Sequence, residues 1–443
     1  MPNRGGEITM RRSLADLPMY LVRQRWQQPD IGDVASAVAA ELARTGALDR
    51  IEPGDEIAIT AGSRGIASMP TVLRAVIAAV RRRRGLPFLF PAMGSHGGGT
   101  ARGQTELLAG LGIDQGSMGA PIRASMVVVQ LGETANGSKI RDTCGLPVYL
   151  DAIASRAAGI IMVNRVKKHT NFDGAVESGL AKMAVIGMGK HAQAVAVHQR
   201  GNAPMSENIL RVAEVLFARA RILAGLALVE NAWGGLAQVV GLRPQEITEQ
   251  EPALLSRAKE LSAKIPFPEL DIALVERMGK EISGTGMDCY VIGRKRIIGE
   301  PEWPEAPRIS SLVVLDLTPA SHGNAVGIGL ADFTTRRLAS KIDWAATQAN
   351  VLTSGNMERG KLPLAFDSDR DALEAAAFRE RSVPLAALRV ACLRDTLHLR
   401  HLLVSEALAD AARARDDLEI VSWPMSLSFD AQGNWLSPIP DQD

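Results

Sequence analysis

Three of the chain's seven histidines lie near an unusually placed lysine, Lys182. Lys182 interrupts an apolar run at residues 180–186. Such a lysine either extends its ammonium group to water or stays desolvated with a lowered pKa. A desolvated amine is nucleophilic, and proteins use such amines to attach carbonyl-derived cofactors. Together with His169, His191 and His198, Lys182 predicts an active site that holds a bound group.

The spacing of these residues limits how they can meet. Lys182 and His198 are sixteen residues apart, about 24 Å along an unbroken helix. His191 and His198 would be about 10.5 Å apart on one helix, too far to bind the same ion. Gly187 and Gly189 lie between the lysine and His198, where they could reverse the chain. Taken singly, each histidine is better explained as an ordinary core or surface residue; together within thirty residues they favour a site.

Further candidate residues lie in glycine-rich loops. The loop at residues 94–100 (GSHGGGT) contains His96, and its glycines allow backbone N–H groups to approach an anion. Arg64, in the GSRG turn, could clamp a carboxylate or phosphate. The GKEISGTGMD loop offers Lys280 and several hydroxyl and carboxylate groups to an oxygen-rich ligand. A surface loop or ion pair explains each of them equally well in isolation.

The composition describes an ordinary globular protein. Of 443 residues, 46% are hydrophobic and 22% charged, and the net charge is +1. This charge predicts neither a nucleic-acid partner nor a membrane partner. The three cysteines are isolated, which argues against thiolate metal sites and favours a reducing compartment. With no apolar leader and no long apolar run, we expect a cytoplasmic protein.

Short β-branched runs alternate with amphipathic stretches along the chain, which predicts two α/β domains with mostly parallel sheets. We place the division in a proline-containing stretch, giving domains at residues 1–265 and 266–443. A helix is expected near residues 323–342. Each glycine-rich loop directly follows a predicted strand, the position where open α/β sheets bind ligands.

At these residues the sequence resembles the lactate racemase family, whose members use a nickel-pincer nucleotide. The similarity covers most of the chain and is strongest at residues 56–198. The family is marked by an arginine turn, a GxH loop, and a histidine–glycine–lysine segment followed by a further histidine. The corresponding residues here are Arg64, His96, His169, Gly174, Lys182 and His198.

The resemblance implies a cofactor, a pyridinium bis-thiocarboxylic mononucleotide carrying nickel, tethered to Lys182 through a thioamide. Nickel would be bound by two sulfurs, one ring carbon and His198. His191 is the runner-up, since the family's lysine-to-histidine interval matches His198. Gly94 and Ser95 would contact the cofactor. Because other proteins must make it, cofactor-synthesis proteins are implied partners.

The implied reaction is racemisation or epimerisation of a small-molecule 2-hydroxy acid by transient hydride transfer. His96 and His169 would alternate as acid and base. Arg64 would bind the substrate carboxylate, and Lys280 would assist from the second domain. Family members fold as two α/β domains with the active site in the cleft between them.

The chain departs from the lactate-active members of the family. Their acidic residue three positions before the arginine is Ala61 here, their second arginine is Gly62, and Glu177 replaces a small residue. We therefore expect a larger or more polar hydroxy acid, such as a sugar acid. Two alternatives stay open: a zinc-dependent hydrolase or lyase using His169 and His198, and a non-catalytic binder of an anionic metabolite or modified nucleotide.

Overall fold

The computed structural model of the protein describes residues 12–26, 28–63, 65–135, 145–201 and 204–441. It divides into two compact units. The first unit spans Gln28–Ser262, and the second joins the described residues before Gln28 to those from Ala263 onward. Strand β1 (Met19–Gln24) therefore belongs to the second unit, because it pairs with strands formed by residues 401–405 and 418–420.

The first unit is built on a five-stranded sheet and a separate two-stranded sheet. The sheet order is β3-β2-β6-β7-β8, in which only β7 and β8 pair antiparallel. β4 and β5 form an antiparallel pair. The strands are β2 (Glu56–Ala61), β3 (Leu86–Pro91), β4 (Val128–Glu133), β5 (Pro147–Asp151), β6 (Gly159–Arg165), β7 (Ile222–Glu230) and β8 (Leu236–Leu242).

Helices cover both faces of this sheet. Alternate residues of β6 enter different cores, with Ile160 and Met162 in one and Ile161 and Val163 in the other. A strand buried on both faces is continuously apolar, as the sequence is here. The helices are α1 (Val34–Arg44), α2 (Met69–Arg82), α3 (Ala101–Gly110), α4 (Gln115–Met118), α5 (Leu180–Lys182), α6 (Lys190–His198), α7 (Met205–Arg219) and α8 (Pro244–Leu261).

The second unit contains an eight-stranded sheet with the order β12-β11-β10-β9-β13-β14-β1-β15. The strands from β12 to β13 in this order are parallel, and β14, β1 and β15 add antiparallel pairs. The strands are β9 (Glu269–Met278), β10 (Arg308–Leu317), β11 (Phe333–Thr335), β12 (Leu364–Phe366), β13 (Val390–Leu393), β14 (His401–Ser405) and β15 (Leu418–Ile420). The helices are α9 (Arg336–Ser340), α10 (Trp344–Ser354), α11 (Asp369–Arg379) and α12 (Glu406–Arg413).

The protein is thus a mixed α/β protein with mostly parallel sheets, as the sequence predicts. The predicted helix near residues 323–342 is wrong. Gly323 and Gly327 adopt φ values of +76° and +100°, which interrupt a helix, and strand β11 follows before the five-residue helix α9. The units also differ from the predicted domains 1–265 and 266–443, because β1 completes the sheet of the second unit.

A search of the described residues for membrane-spanning helices found none with the necessary length and apolar character.

Candidate functional site

Three polar loops follow neighbouring parallel strands at one edge of the first unit's sheet. Strands β3, β2 and β6 lie side by side, and the loops at residues 92–100, 62–68 and 166–179 follow their carboxyl ends. Ligands of open α/β sheets bind beyond these ends. Arg64, predicted to bind the substrate carboxylate, lies outside the described residues.

His96 is held by the loop after β2 and by a glycine turn. Its Nδ1 atom shares a hydrogen bond with the hydroxyl of Ser63. Residues 97–99 are glycines with φ of +62°, +65° and +63°, and only glycine adopts a run of such values at little cost. Helix α3 begins directly afterwards with Thr100 as its N-cap. This turn leaves the His96 imidazole half-buried.

Gly94 brings the same loop into close contact with the segment at residues 183–198. A Cβ atom at Gly94 would lie 3.1 Å from Ala194 Cβ and 3.2 Å from Ile186 Cγ2. These separations are tighter than ordinary contacts between carbon atoms, so the packing depends on glycine. The neighbouring Ser95 is exposed. The loop that carries His96 and the segment that follows Lys182 therefore form one packed structure.

His169 lies in the loop after β6 and has a defined ring orientation. Its backbone N–H donates to Glu177 Oε2 at 2.7 Å, and its Nδ1 accepts from the backbone N–H of Asn171 at 3.1 Å. The ring packs against Phe172 with centroids 4.3 Å apart. Because Nδ1 accepts a hydrogen bond, the neutral imidazole carries its proton on Nε2.

Lys182 ends the single helical turn α5 and lies beside the His169 loop. Its Nζ is 5.6 Å from the centre of the Phe172 ring, the same ring that packs on His169. The residues around it in sequence are buried, whereas Lys182 is half-buried. A π-helical segment, Met183–Gly187, follows directly, and such segments often occur at functional sites.

His198 lies at the end of α6, within electrostatic reach of Lys182. Partial desolvation and the positive charge of Lys182 lower the pKa of the His198 imidazole, although the residue as a whole is exposed. Between the two residues the helical path is interrupted at Lys190, where φ is +58°. His191, at the start of α6, is exposed.

Lys190 and Gln104 are buried residues of this region that sequence reasoning missed. Both are inaccessible to solvent, and Lys190 adopts a left-handed backbone conformation that is rare outside glycine, asparagine and aspartate. Non-glycine residues in strained conformations cluster at functional sites. Nothing in the local sequence distinguished Lys190 from a surface lysine near a helix end.

Glu251 of α8 caps the short helix that bears Lys182. Its Oε2 accepts a hydrogen bond from the backbone N–H of Ala181 at 3.0 Å. The carboxyl group is buried, and this burial raises its pKa to about 7. The sequence pattern could have indicated that Glu251 is buried, because it shares one helical face with the apolar residues Ile247, Leu255 and Ala258.

Helix α8 also holds the loop that carries His169. Lys259 Nζ lies 2.6 Å from Glu177 Oε1, while Glu177 Oε2 accepts from the His169 backbone. The Glu177 side chain is wholly buried; this burial raises the pKa of its carboxyl group despite the hydrogen bond from Lys259. Two residues of α8 thus support two different parts of the candidate site.

Lys280 lies in the second unit, in the loop that follows β9. Its backbone N–H donates to Ser321 Oγ at 2.9 Å and its Nζ donates to the carbonyl of Gly284 at 2.6 Å. These bonds give the loop a compact shape. The substrate-binding role of Lys280 stays a prediction.

Among the described ranges, no group of three or more histidine, cysteine, aspartate or glutamate residues is arranged to hold a metal ion. A structural or catalytic zinc site needs three or four such ligands. The zinc alternative based on His169 and His198 therefore gains no support from the described residues.

Comparisons with known proteins give little further information. No family model matches the chain, and no curated protein matches it. The solved structure of the lactate racemase apoprotein from Thermoanaerobacterium thermosaccharolyticum is similar to this chain at 13% sequence identity. The likeness covers 89% of this chain and 92% of that chain, with a TM-score of 0.45. A likeness this distant carries no argument about activity.

Proposed function

We propose that the protein is a nickel-pincer nucleotide-dependent racemase or epimerase of a 2-hydroxy acid. One observation carries the proposal. The four residues at the motif positions, His96, His169, Lys182 and His198, belong to segments that pack together at the carboxyl edge of one sheet. Segments that carry four unrelated surface residues would have no reason to contact one another.

The residues present match the two attachment points of this cofactor. Lys182 supplies a primary amine on a short helix whose position is set by Glu251. His198 supplies an imidazole whose lowered pKa favours the neutral form, in which histidine binds metals. Soft sulfur donors in a planar chelate suit nickel. When bound, the cofactor supplies the group that accepts and returns a hydride.

The chain's own residues would bind the substrate and move its hydroxyl proton. Because Nδ1 of His169 accepts from Asn171, Nε2 is the ring nitrogen left to face a substrate, and the hydroxyl of Ser63 orients the ring of His96. Histidine is the side chain best suited to alternate between acid and base near neutral pH, so the two imidazoles would serve the two enantiomers in turn. Arg64 would hold the substrate carboxylate, with Lys280 as a second candidate for substrate binding.

The space beside Gly62 supports a substrate other than lactate. A Cβ atom at Gly62 would lie 3.3 Å from Met183 Cε and 3.7 Å from Asn164 Oδ1. A side chain at this position would have to displace the Met183 methyl group. With one guanidinium fewer in this turn, recognition of the substrate must depend on other polar groups, which favours a larger or more polar hydroxy acid.

The decisive experiment is intact mass spectrometry with nickel analysis on protein made in a host that synthesises the cofactor. We expect one covalent adduct, mapped to Lys182, and about one nickel per chain. Lys182→Arg, which keeps the charge but cannot form the thioamide, is the matched control and should lack both. The loaded protein should then interconvert the enantiomers or epimers of a polar hydroxy acid faster than those of lactate.

The proposal fails if no adduct and no nickel are found while an authentic lactate racemase becomes loaded in the same host. Loading and ligand binding without any isomerisation, unchanged in His96→Gln, would instead identify a binding protein. Faster turnover of lactate than of every longer hydroxy acid would contradict the substrate class alone.

A further inference from the structure

We propose that Lys190 is a positioning residue for His96, acting through the side chain of Gln104 and the backbone of the loop that carries the imidazole.

The Lys190 ammonium group lies entirely inside the first unit. Its Nζ donates to the carbonyl of Pro91, the last residue of β3, at 2.6 Å and to Gln104 Oε1 at 2.7 Å. The nearest carboxylate oxygen, Asp151 Oδ2, is 3.8 Å away. Burial lowers the pKa of Lys190 to about 8, and the charge of Asp151 opposes that effect. The group is therefore mostly protonated at neutral pH.

Gln104 connects this ammonium group to the His96 loop. Its Nε2 donates to the carbonyls of Met93 and Gly94, both at 3.0 Å, and to the carbonyl of His96 at 3.3 Å. The three carbonyls share the two N–H groups of one amide. The backbone on either side of Ser95 is thus tied to a single buried side chain.

Lys190 and the loop carbonyls select the same orientation of the Gln104 amide. An ammonium group is a donor only, so it accepts no hydrogen bond from the NH₂ end of an amide. It therefore holds the amide oxygen towards itself and leaves the NH₂ group facing the loop. Without the ammonium group the buried amide oxygen of Gln104 loses its donor, and only the loop carbonyls hold the amide in this orientation.

A positioning role predicts a measurable change at His96 when this arrangement is broken. The test is ¹⁵N NMR of histidine-labelled full-length protein, with the His96 signal assigned from His96→Gln. In Lys190→Met we expect the tautomer ratio of His96 to change and its pKa to move by about 0.5–1 pH unit. That is the change expected on losing one hydrogen bond such as the one to Ser63. Gln104→Glu keeps an acceptor for Lys190 but no donor for the loop, so it should produce the same change.

Gln193→Met is the matched control. Gln193 is equally buried on α6, but it bonds to the backbone of Tyr149 and Pro147 in β5. Its loss should leave the His96 signals unchanged. The inference is overturned if His96 titrates as in the wild type in both Lys190→Met and Gln104→Glu, or if Gln193→Met shifts it equally. If Lys190→Met does not fold, the His96 titration in Gln104→Glu alone tests the inference.

The catalytic meaning of this arrangement rests on the proposed function, whereas the NMR test does not. In loaded protein, Lys190→Met should lower kcat on the order of 10²-fold, the scale of a small misplacement of a reacting group, with little change in KM and unchanged loading of Lys182. Absence of an adduct on Lys182 would refute the proposed function and leave the NMR result standing. Unchanged kcat in a loaded, active Lys190→Met variant would refute the positioning role alone.

Discussion

Glu251 is a carboxyl group whose protonation is controlled by the fold. It is buried on α8 and accepts a hydrogen bond from the backbone N–H of Ala181. A Cβ atom at Gly179 would lie 2.4 Å from Glu251 Oε1, so the glycine permits this close approach. Burial raises the pKa from 4.5 to about 7. The helix that bears Lys182 is therefore capped by a group that titrates near neutrality.

This pKa predicts that Glu251 makes stability depend on pH. Between about pH 4.5 and 7 the folded protein keeps the proton that the unfolded chain has released, so the stabilisation is complete below that range and is lost as pH rises through 7. Between pH 5 and 8, the free energy of unfolding of the wild type should fall by about 2–3 kcal/mol relative to that of Glu251→Gln. Urea unfolding of both proteins at the two pH values measures this. An identical pH dependence in the two proteins would show that Glu251 does not titrate in this range.

At the scale of secondary structure, helix α8 supports two parts of the candidate site. One of its residues, Glu251, holds the turn of Lys182, and another, Lys259, is paired with the buried Glu177 that anchors His169. A straight helix keeps these supports at a constant separation along its axis. The relative placement of the lysine and the histidine loop is thereby coupled to one rigid element.

Removing the Lys259 side chain should destabilise the protein, because it leaves the buried Glu177 carboxylate without its charged partner. Because Lys259 is itself one-third exposed, we expect Lys259→Met to destabilise by about 1–3 kcal/mol, below the range for a fully buried pair. The double variant with Glu177→Gln should recover part of that loss. Arg257→Met is the control on the same helix, since its pair with Glu260 is exposed, and it should change stability by less than about 0.5 kcal/mol. Denaturant unfolding of the wild type, the two single variants and the double variant measures the coupling energy between Lys259 and Glu177. Strictly additive changes in unfolding free energy would contradict the predicted coupling.

At the scale of the whole molecule, each unit has hydrophobic clusters of its own. Those of the first unit draw only on residues between 38 and 261. Those of the second unit combine residues 14–22 with residues from 265 onward. The amino-terminal strand β1 lies between β14 and β15 in that sheet. The second unit therefore needs a segment from the opposite end of the sequence.

This division predicts how the chain can be cut. A fragment spanning Gln28–Ser262 should unfold cooperatively by itself, because its cores are complete. A fragment starting at Ala263 lacks β1 and leaves the edges of β14 and β15 unpaired, so it should aggregate or stay unfolded. Joining residues 12–26 to its carboxyl end by a flexible linker should restore folding. Circular dichroism and thermal unfolding compare the three, and a stable Ala263 fragment would contradict the assignment of β1.

Much of the first unit could be predicted from local patterns. Strands β2, β3, β6 and β7 are continuous apolar runs, and helices α2, α7 and α8 have apolar faces at helical spacing, so their signals lie within a few neighbouring residues. The same holds for the glycine-rich loops that follow the strands. The helix expected near residues 323–342 failed because its glycines take left-handed conformations, which the apolar pattern does not reveal.

The sequence by itself determined the fold class, the order of most elements and the motif positions His96, His169, Lys182 and His198, because hydrophobic periodicity and residue type are local properties. Only the tertiary structure decided that β1 completes the distant sheet, that Lys190 takes a left-handed conformation, and that Glu251 and Gln104 are buried beside the site. A polar residue that is satisfied by distant partners has the same local pattern as one that is satisfied by water. The difference arises only when folding brings those partners together and removes the solvent.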